Sequence, residues 1–387
     1  MEKILIVSYG NISYATPLYR YIIKNFVKLF NQSFLIHTSI LSNNDFSNII
    51  KTISIHKFKD NNSFYIQSSF IKIKRYIRLI LLLIQFLRNK ELKTLYTSDI
   101  EVVILLRFIN FIIKFNQNTI LIYHQFEMIE LENYGRIKRY LINIALKYFK
   151  NFDLIIIPEI NRINYFIKQT GAAKNSILLL PNTCEINVNQ NNEPRININE
   201  IPDNNLIIGH IGNVNTENFY LVELLNSFMK VKQNNLKLLF VGNLKNETKE
   251  IIIRYSNDNI IIKDFIPHKE LEAIYNRIDI GLILYKPHKL NEEYCAPNKL
   301  YEYFSHGIPV IAPKIAGLEA IFTKKILGHL LDFKDSAQLQ NSLDNIACRL
   351  NNAKQEIIQL FKNEYDINIY LKKLNQILSK LELEKLK

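Results

Sequence analysis

The sequence predicts an α/β chain of two Rossmann-like domains, each built on a parallel sheet. Three observations predict it. Short apolar, β-branched runs alternate with longer amphipathic stretches, the pattern of buried strands joined by crossover helices. That alternation occurs twice, on either side of an Asn-rich segment at 185–205 with no apolar period. The chain's 387 residues, 48% of them hydrophobic, suffice for two separate cores.

The first half carries strands at KILIVSY (3–9), SFLIHTSIL (33–41), TISIHKF (52–58), KTLYTS (93–98), TILIYH (119–124), DLIIIP (153–158) and SILLLP (176–181). Each is short, apolar and bounded by polar residues or Pro. Helical spacing fills the intervals in TPLYRYIIKNFVKLF, SSFIKIKRYIRLILLLIQFLRN and the run 134–150. EINVNQNNEPRININEIPDNN, with two prolines, breaks the pattern; the first domain is placed at 1–190 and the linker at 191–204. The second domain, 205–364, opens on NLIIGHIG (205–212). It continues through VELLNSFMKVK, KLLFVGN (237–243), NIIIKDF (259–265), HKELEAIYNRI (268–278) and DIGLILY (279–285). YCAPNKLYEYFSHGIPVIA (294–312) then supplies a short helix and a strand. Residues 365–387, with LKKLNQILSKLELEKLK, form an amphipathic tail that either packs across the domains or frays.

Composition narrows the class. Cys184, Cys295 and Cys348 are odd in number and far apart, with no CxxC spacing, which fits a reducing compartment and no structural zinc. MEKILIVSYG reads as a first buried strand rather than a signal peptide. The longest apolar run, LILLLI at 79–84, is far short of the ~20 residues of a bilayer span. A cytoplasmic protein is expected. The net charge of +13 is uneven: residues 1–190 hold 24 Lys+Arg against 12 Asp+Glu, and residues 191–387 hold 25 against 24. A basic first half points to an anionic partner. Its densest part, FIKIKRYIRLILLLIQFLRNK (70–90), places Lys72, Lys74, Arg75, Arg78, Arg88 and Lys90 around an apolar centre. It reads as a helix on an anionic membrane surface or as a core helix with charged ends. No nucleic-acid module or aromatic platform accompanies it, so nucleic acid is not an expected partner.

Ligands of open α/β sheets bind beyond the carboxyl ends of the strands. YGNIS (9–13), HIGNVN (210–215), FVGN (240–243) and the loop before Asn298 have that placement. Gly10, Gly212 and Gly242 allow either a tight turn or a close backbone approach to a ligand, and neither half contains GxGxxG. Pro297-Asn298 starts a helix that Gly307 ends. Its free N–H groups favour an anion such as a phosphate, Lys299 adds positive charge, and Glu302 could accept two ribose hydroxyls.

PNKLYEYFSHGIPVIAPKIAGL resembles the donor-binding segment of GT-B glycosyltransferases, specifically glycosyltransferase family 4. LLPNT (179–183), IIGHIGN (207–213), LLFVGN (238–243) and IIIKDFIPHKELEAIYNRIDIGLILY (260–285) follow in the order of that family. The resemblance covers most of 150–325 and implies the GT-B fold, its two sheets facing an interdomain cleft. It implies sugar transfer from a nucleotide diphosphate donor, with retention, to a glycan or lipid-linked acceptor. Surface polysaccharide or glycolipid synthesis, at the inner face of the plasma membrane, would be the setting. The donor-side residues it implies are Gly212, Asn213, Gly242, Pro297, Asn298, Lys299 and Glu302; Gly10 and Asn11 lie on the acceptor side. Glu302 matches the second acid of E-x7-E, while Tyr294 stands at the first and Glu293 is one residue out of register. Asn298 and Lys299 are the expected replacements. Asn213 and, approximately, Phe219 stand where many members have Arg and Lys, which leaves Lys299, Lys286 and the helix start to balance the diphosphate. No D-x-D occurs, so no metal and no cofactor are expected. IYHQFEMIE (122–130) resembles the family's acceptor-side segment, making His124 and Glu127 the candidate catalytic groups. Two alternatives stand beside transfer: a sugar-nucleotide epimerase of the same fold, and a degenerate scaffold for another glycosyltransferase.

Overall fold

The computed structural model describes residues 3–11, 17–40, 50–58, 69–113, 118–186, 205–233, 235–255, 258–267 and 270–385. They divide into two compact units, Met1–Pro181 with Ile367–Lys387, and Asn182–Asp366. The expected boundary at 190 and the linker at 191–204 lie outside the described residues.

The first unit is a seven-stranded parallel sheet in the order β3-β2-β1-β4-β5-β6-β7. Its strands are β1 (Lys3–Asn11), β2 (Gln32–Ile40), β3 (Lys51–Phe58), β4 (Leu92–Thr97), β5 (Ile120–His124), β6 (Leu154–Ile157) and β7 (Ile177–Leu179). The connecting helices are α1 (Pro17–Leu29), α2 (Ser69–Leu87), α3 (Ile100–Ile113), α4 (Arg136–Leu146) and α5 (Ile160–Thr170). Both faces are covered, which is why β1 reads as a continuous apolar run. Ile4 and Ile6 pack with α1 and the C-terminal helix, whereas Leu5 and Val7 pack with α2, α3 and α4. Alternation along one strand thus feeds two cores. β1 continues to Asn11, with a register shift against β2 after Ser8, so Gly10 and Asn11 lie in the strand rather than in the loop after it.

The second unit orders its six parallel strands β10-β9-β8-β11-β12-β13. These are β8 (Leu206–Ile211), β9 (Leu236–Val241), β10 (Ile260–Lys263), β11 (Ile280–Leu282), β12 (Val310–Pro313) and β13 (Gly328–Leu331). Helices α6 (Leu221–Phe228), α7 (Asn246–Arg254), α8 (Leu271–Tyr275), α9 (Leu290–Glu293), α10 (Asn298–Ser305), α11 (Ala316–Glu319), α12 (Ser336–Ala347) and α13 (Leu350–Glu364) complete it. β13 was not expected, because Gly328 and His329 interrupt its apolar pattern. The C-terminal helix α14 (Ile367–Lys385) joins the first unit: Ile367, Leu374 and Leu378 enter the core beside α1. Strand order reverses at β1/β4 in one sheet and at β8/β11 in the other. Such switch points are where open α/β sheets leave a crevice for a ligand.

Candidate active site

At the second switch point, α10 is tied to the sheet by one side chain. The Tyr303 hydroxyl donates to the Gly209 carbonyl at 2.9 Å and accepts from the Ile211 N–H at 3.1 Å. Its ring lies on β11 at Gly281, where an added Cβ would come within 2.6 Å of the ring. Pro297, extended at φ −74° and ψ 124°, leads into the first turn, where the Leu300 N–H donates to the Pro297 carbonyl at 3.2 Å and the Asn298 and Lys299 N–H groups have no acceptor within the helix. The chain reverses at Gly307, with φ +72°, a region that favours glycine. Asn182 holds the preceding loop by donating to the Ala296 carbonyl at 2.8 Å.

Glu302, only 6% exposed, is the centre of a compact polar cluster. Its Oε2 accepts from Lys299 Nζ at 2.6 Å and from the Tyr275 hydroxyl, and Lys299 Nζ lies 3.1 Å from that hydroxyl. Lys299 and Glu302 stand one turn apart on α10, so helical spacing brings their side chains to one face. Burial pushes the Tyr275 pKa well above its ordinary value, so the phenol keeps its proton and donates it to the carboxylate. The His306 ring stacks on Tyr275 at 4.4 Å, with Nδ1 2.8 Å from the Glu302 carbonyl; burial lowers its pKa and favours the neutral ring. The cluster is therefore a carboxylate neutralised by one ammonium and oriented by one phenol. Such a group accepts hydrogen bonds from hydroxyls. Tyr275 was not singled out from the sequence; its only signal was a Tyr on the buried side of a short helix.

Gly212 follows β8 and Gly242 follows β9, with φ of +131° and +159°. A Cβ on Gly242 would lie 2.4 Å from the Gly212 carbonyl oxygen, so the two loops cross too closely for any side chain there. Ile211, bonded to Tyr303, places the Gly212 loop and α10 at the same end of the sheet. Asn213 is exposed beside that loop. Phe219 instead bridges β-fashion to Tyr285, and Lys286 pairs with Glu223 at 2.9 Å, so both positions serve local packing. Glu293 turns to the start of α11, accepting from the Ala316 N–H at 3.3 Å. Among the described residues, no group of three or more His, Cys, Asp or Glu is placed to hold a metal ion.

In the first unit, His124 ends β5 fully buried. Its Nδ1 lies 2.8 Å from the Tyr96 hydroxyl, and the Phe126 ring lies 4.0 Å away. Burial lowers its pKa to about 3, so the imidazole is neutral. Nε2 has no hydrogen-bond partner among the described residues, and neither has Oε1 of buried Gln125, a residue the sequence did not flag. Glu127 is exposed, so burial separates it from His124. Arg75 also departs from expectation. It is buried, its Nε donates to the Tyr9 hydroxyl at 3.0 Å, and its guanidinium lies 4.2 Å from the Tyr9 ring centre.

Solved structures align over nearly the whole chain. Anabaena HepE in complex with UDP is 12% identical with a TM-score of 0.69, covering 98% of this chain and 100% of that one. A glycosyltransferase from Rickettsia africae is 14% identical with a TM-score of 0.71, covering 98% of each. The lipopolysaccharide outer core galactosyltransferase WaaB is 13% identical with a TM-score of 0.67, covering 98% and 99%. At such identities the likeness is one of fold, and the fold is GT-B. Residues 205–348, which contain the Glu302 cluster, match the family of glycosyl transferases group 1. The second unit is thus a group 1 glycosyltransferase domain, an enzyme domain. No curated protein matches the chain in sequence.

Proposed function

We propose that the chain transfers a sugar from a nucleotide diphosphate donor to an acceptor hydroxyl, with retention and without a metal clamp. The carrying observation is the buried Glu302, held by Lys299 and Tyr275 on the helix that starts at the switch point. Its carboxylate takes the ribose hydroxyls. The first-turn N–H groups of α10, from Asn298 on, and the Lys299 ammonium receive the diphosphate. Gly212 and Gly242 leave backbone exposed to the donor, beside Asn213. The bond between the anomeric carbon and the diphosphate oxygen breaks as the acceptor oxygen bonds to that carbon on the same face. The acceptor proton passes to the departing phosphate oxygen. Charge gathering on that oxygen is what fixed N–H dipoles stabilise best.

On the first unit, His124 Nε2 and Gln125 Oε1 are two of the buried groups without a partner, and their place at the end of β5 makes them the ones an acceptor hydroxyl would satisfy. Glu127, exposed after β5, is the second candidate there. Anabaena HepE has been solved with UDP-glucose, which makes uridine nucleotides the first donors to try. WaaB is named for the lipopolysaccharide outer core, which supports a surface glycan or glycolipid as acceptor. A thermal-shift series with UDP, GDP, ADP and their sugars tests the reading. One nucleotide is expected to stabilise the chain in proportion to its binding, and no response to any would refute it.

A further inference from the structure

We propose that the α2–α4 side of the first unit docks on an anionic lipid bilayer. Helices α2, α3 and α4 pack on one face of the sheet and turn their other sides outward. On α2, Phe70, Ile73, Ile77 and Leu81 recur at helical spacing as one stripe, 53–75% exposed. Lys74 and Arg78, both exposed, flank it, and no acidic residue occurs between Ser69 and Lys90. The first turns of α4 repeat the chemistry, with exposed Ile137 and Tyr140 beside Arg136 and Arg139. Crossover helices in a parallel sheet all start at the carboxyl edge of the strands, so Phe70 and Ile137 share that edge.

An exposed apolar stripe on a basic, acid-free helix matches an interface of anionic headgroups over acyl chains. A second copy of the chain would bring the same positive charge to the contact. A nucleic acid would find mostly aliphatic side chains, Ile73, Ile77, Leu81 and Ile137, where it needs a row of stacking platforms. The inward turn of Arg75 sharpens the footprint, because that residue anchors α2 to β1 and does not face outward. Docking stands independently of glycosyl transfer. Only one corollary, that a lipid-linked acceptor would meet the ends of β1 and β5 at the bilayer, rests on that reading.

The test uses flotation of the full chain with vesicles of phosphatidylcholine alone or mixed with phosphatidylglycerol. Binding is expected only to the mixed vesicles, and added salt should weaken it. The chain has no Trp, so Phe70→Trp gives a single reporter whose emission should shift to the blue on binding. Ile73→Ser with Ile77→Ser and Leu81→Ser should abolish binding. Lys74→Gln and Arg78→Gln should each weaken it about fivefold. Circular dichroism melts should be unchanged for the Ser substitutions and Lys74→Gln, which lie on the surface, and slightly lower for Arg78→Gln, which loses a hydrogen bond to the Ile55 carbonyl at 3.1 Å. Failure to float with mixed vesicles, or flotation indifferent to these substitutions, overturns the proposal. So does lipid-free self-association that the Ser substitutions abolish.

Discussion

Lys299 Nζ and Glu302 Oε2, 2.6 Å apart, show why single residues in the site cannot be altered with one consequence only. Removing one partner of a largely buried ion pair strands the other, so Lys299→Ala should lower stability as well as the donor affinity proposed for this site. Tyr275→Phe is the cleaner probe. It deletes one hydrogen bond to the carboxylate and keeps the pair, so a stability loss of about 1.5–3 kcal/mol is expected in urea unfolding. His124 carries a pH signature. Its folded pKa of about 3 lies below the ordinary histidine value of about 6.5. Between those limits the unfolded chain takes up a proton that the folded chain refuses, so stability falls as pH falls. The slope is at most about 1.4 kcal/mol per pH unit for that residue. Denaturation midpoints from pH 7 to 4 should fall less steeply for His124→Gln; equal slopes would contradict its neutral burial.

At the scale of elements, α10 is positioned by an exchange of volume: a Tyr ring occupies the space that Gly281 vacates on β11. Gly281→Ala forces a contact of 2.6 Å with Tyr303 and should destabilise the second unit by about 1–3 kcal/mol. Nucleotide affinity should fall with it, measurable by titration under conditions where the variant is folded. This element was legible in the sequence, because Pro297, the apolar period of KLYEYFSHG and Gly307 all mark a short capped helix. So were most strands, whose continuous burial leaves nearly unbroken apolar runs. β13 was not legible, since a short edge strand needs little apolar period of its own. The pairing of Tyr275 with Glu302 was also hidden, because residues 27 apart meet only through tertiary packing. Arg75 was misjudged for a related reason: a basic residue on an amphipathic helix reads as solvated until a buried Tyr9 hydroxyl supplies its partner.

Across the whole molecule, each unit has its own sheet and cores, yet the chain closes the first unit last. α14 brings Leu374 and Leu378 to α1, Asn375 and Asn25 exchange amide hydrogen bonds at 2.7 and 3.2 Å, and Lys385 pairs with Asp153 at 2.9 Å. Leu374→Ala should therefore destabilise the first unit by about 2–5 kcal/mol although it lies near the end of the chain. In calorimetry, that change should leave intact the transition that a bound nucleotide raises. The basic charge is likewise divided, with nearly all the excess before residue 191, and it belongs to the unit whose outer helices carry the apolar stripe. The second unit is proposed to hold a nucleotide diphosphate at α10 through Glu302. Calorimetric titration of the chain and of Glu302→Gln with the stabilising nucleotide tests it most directly. A loss of roughly tenfold to a hundredfold in affinity is expected, the worth of hydrogen bonds to a charged acceptor. Equal affinities for the two proteins, both folded, would contradict it.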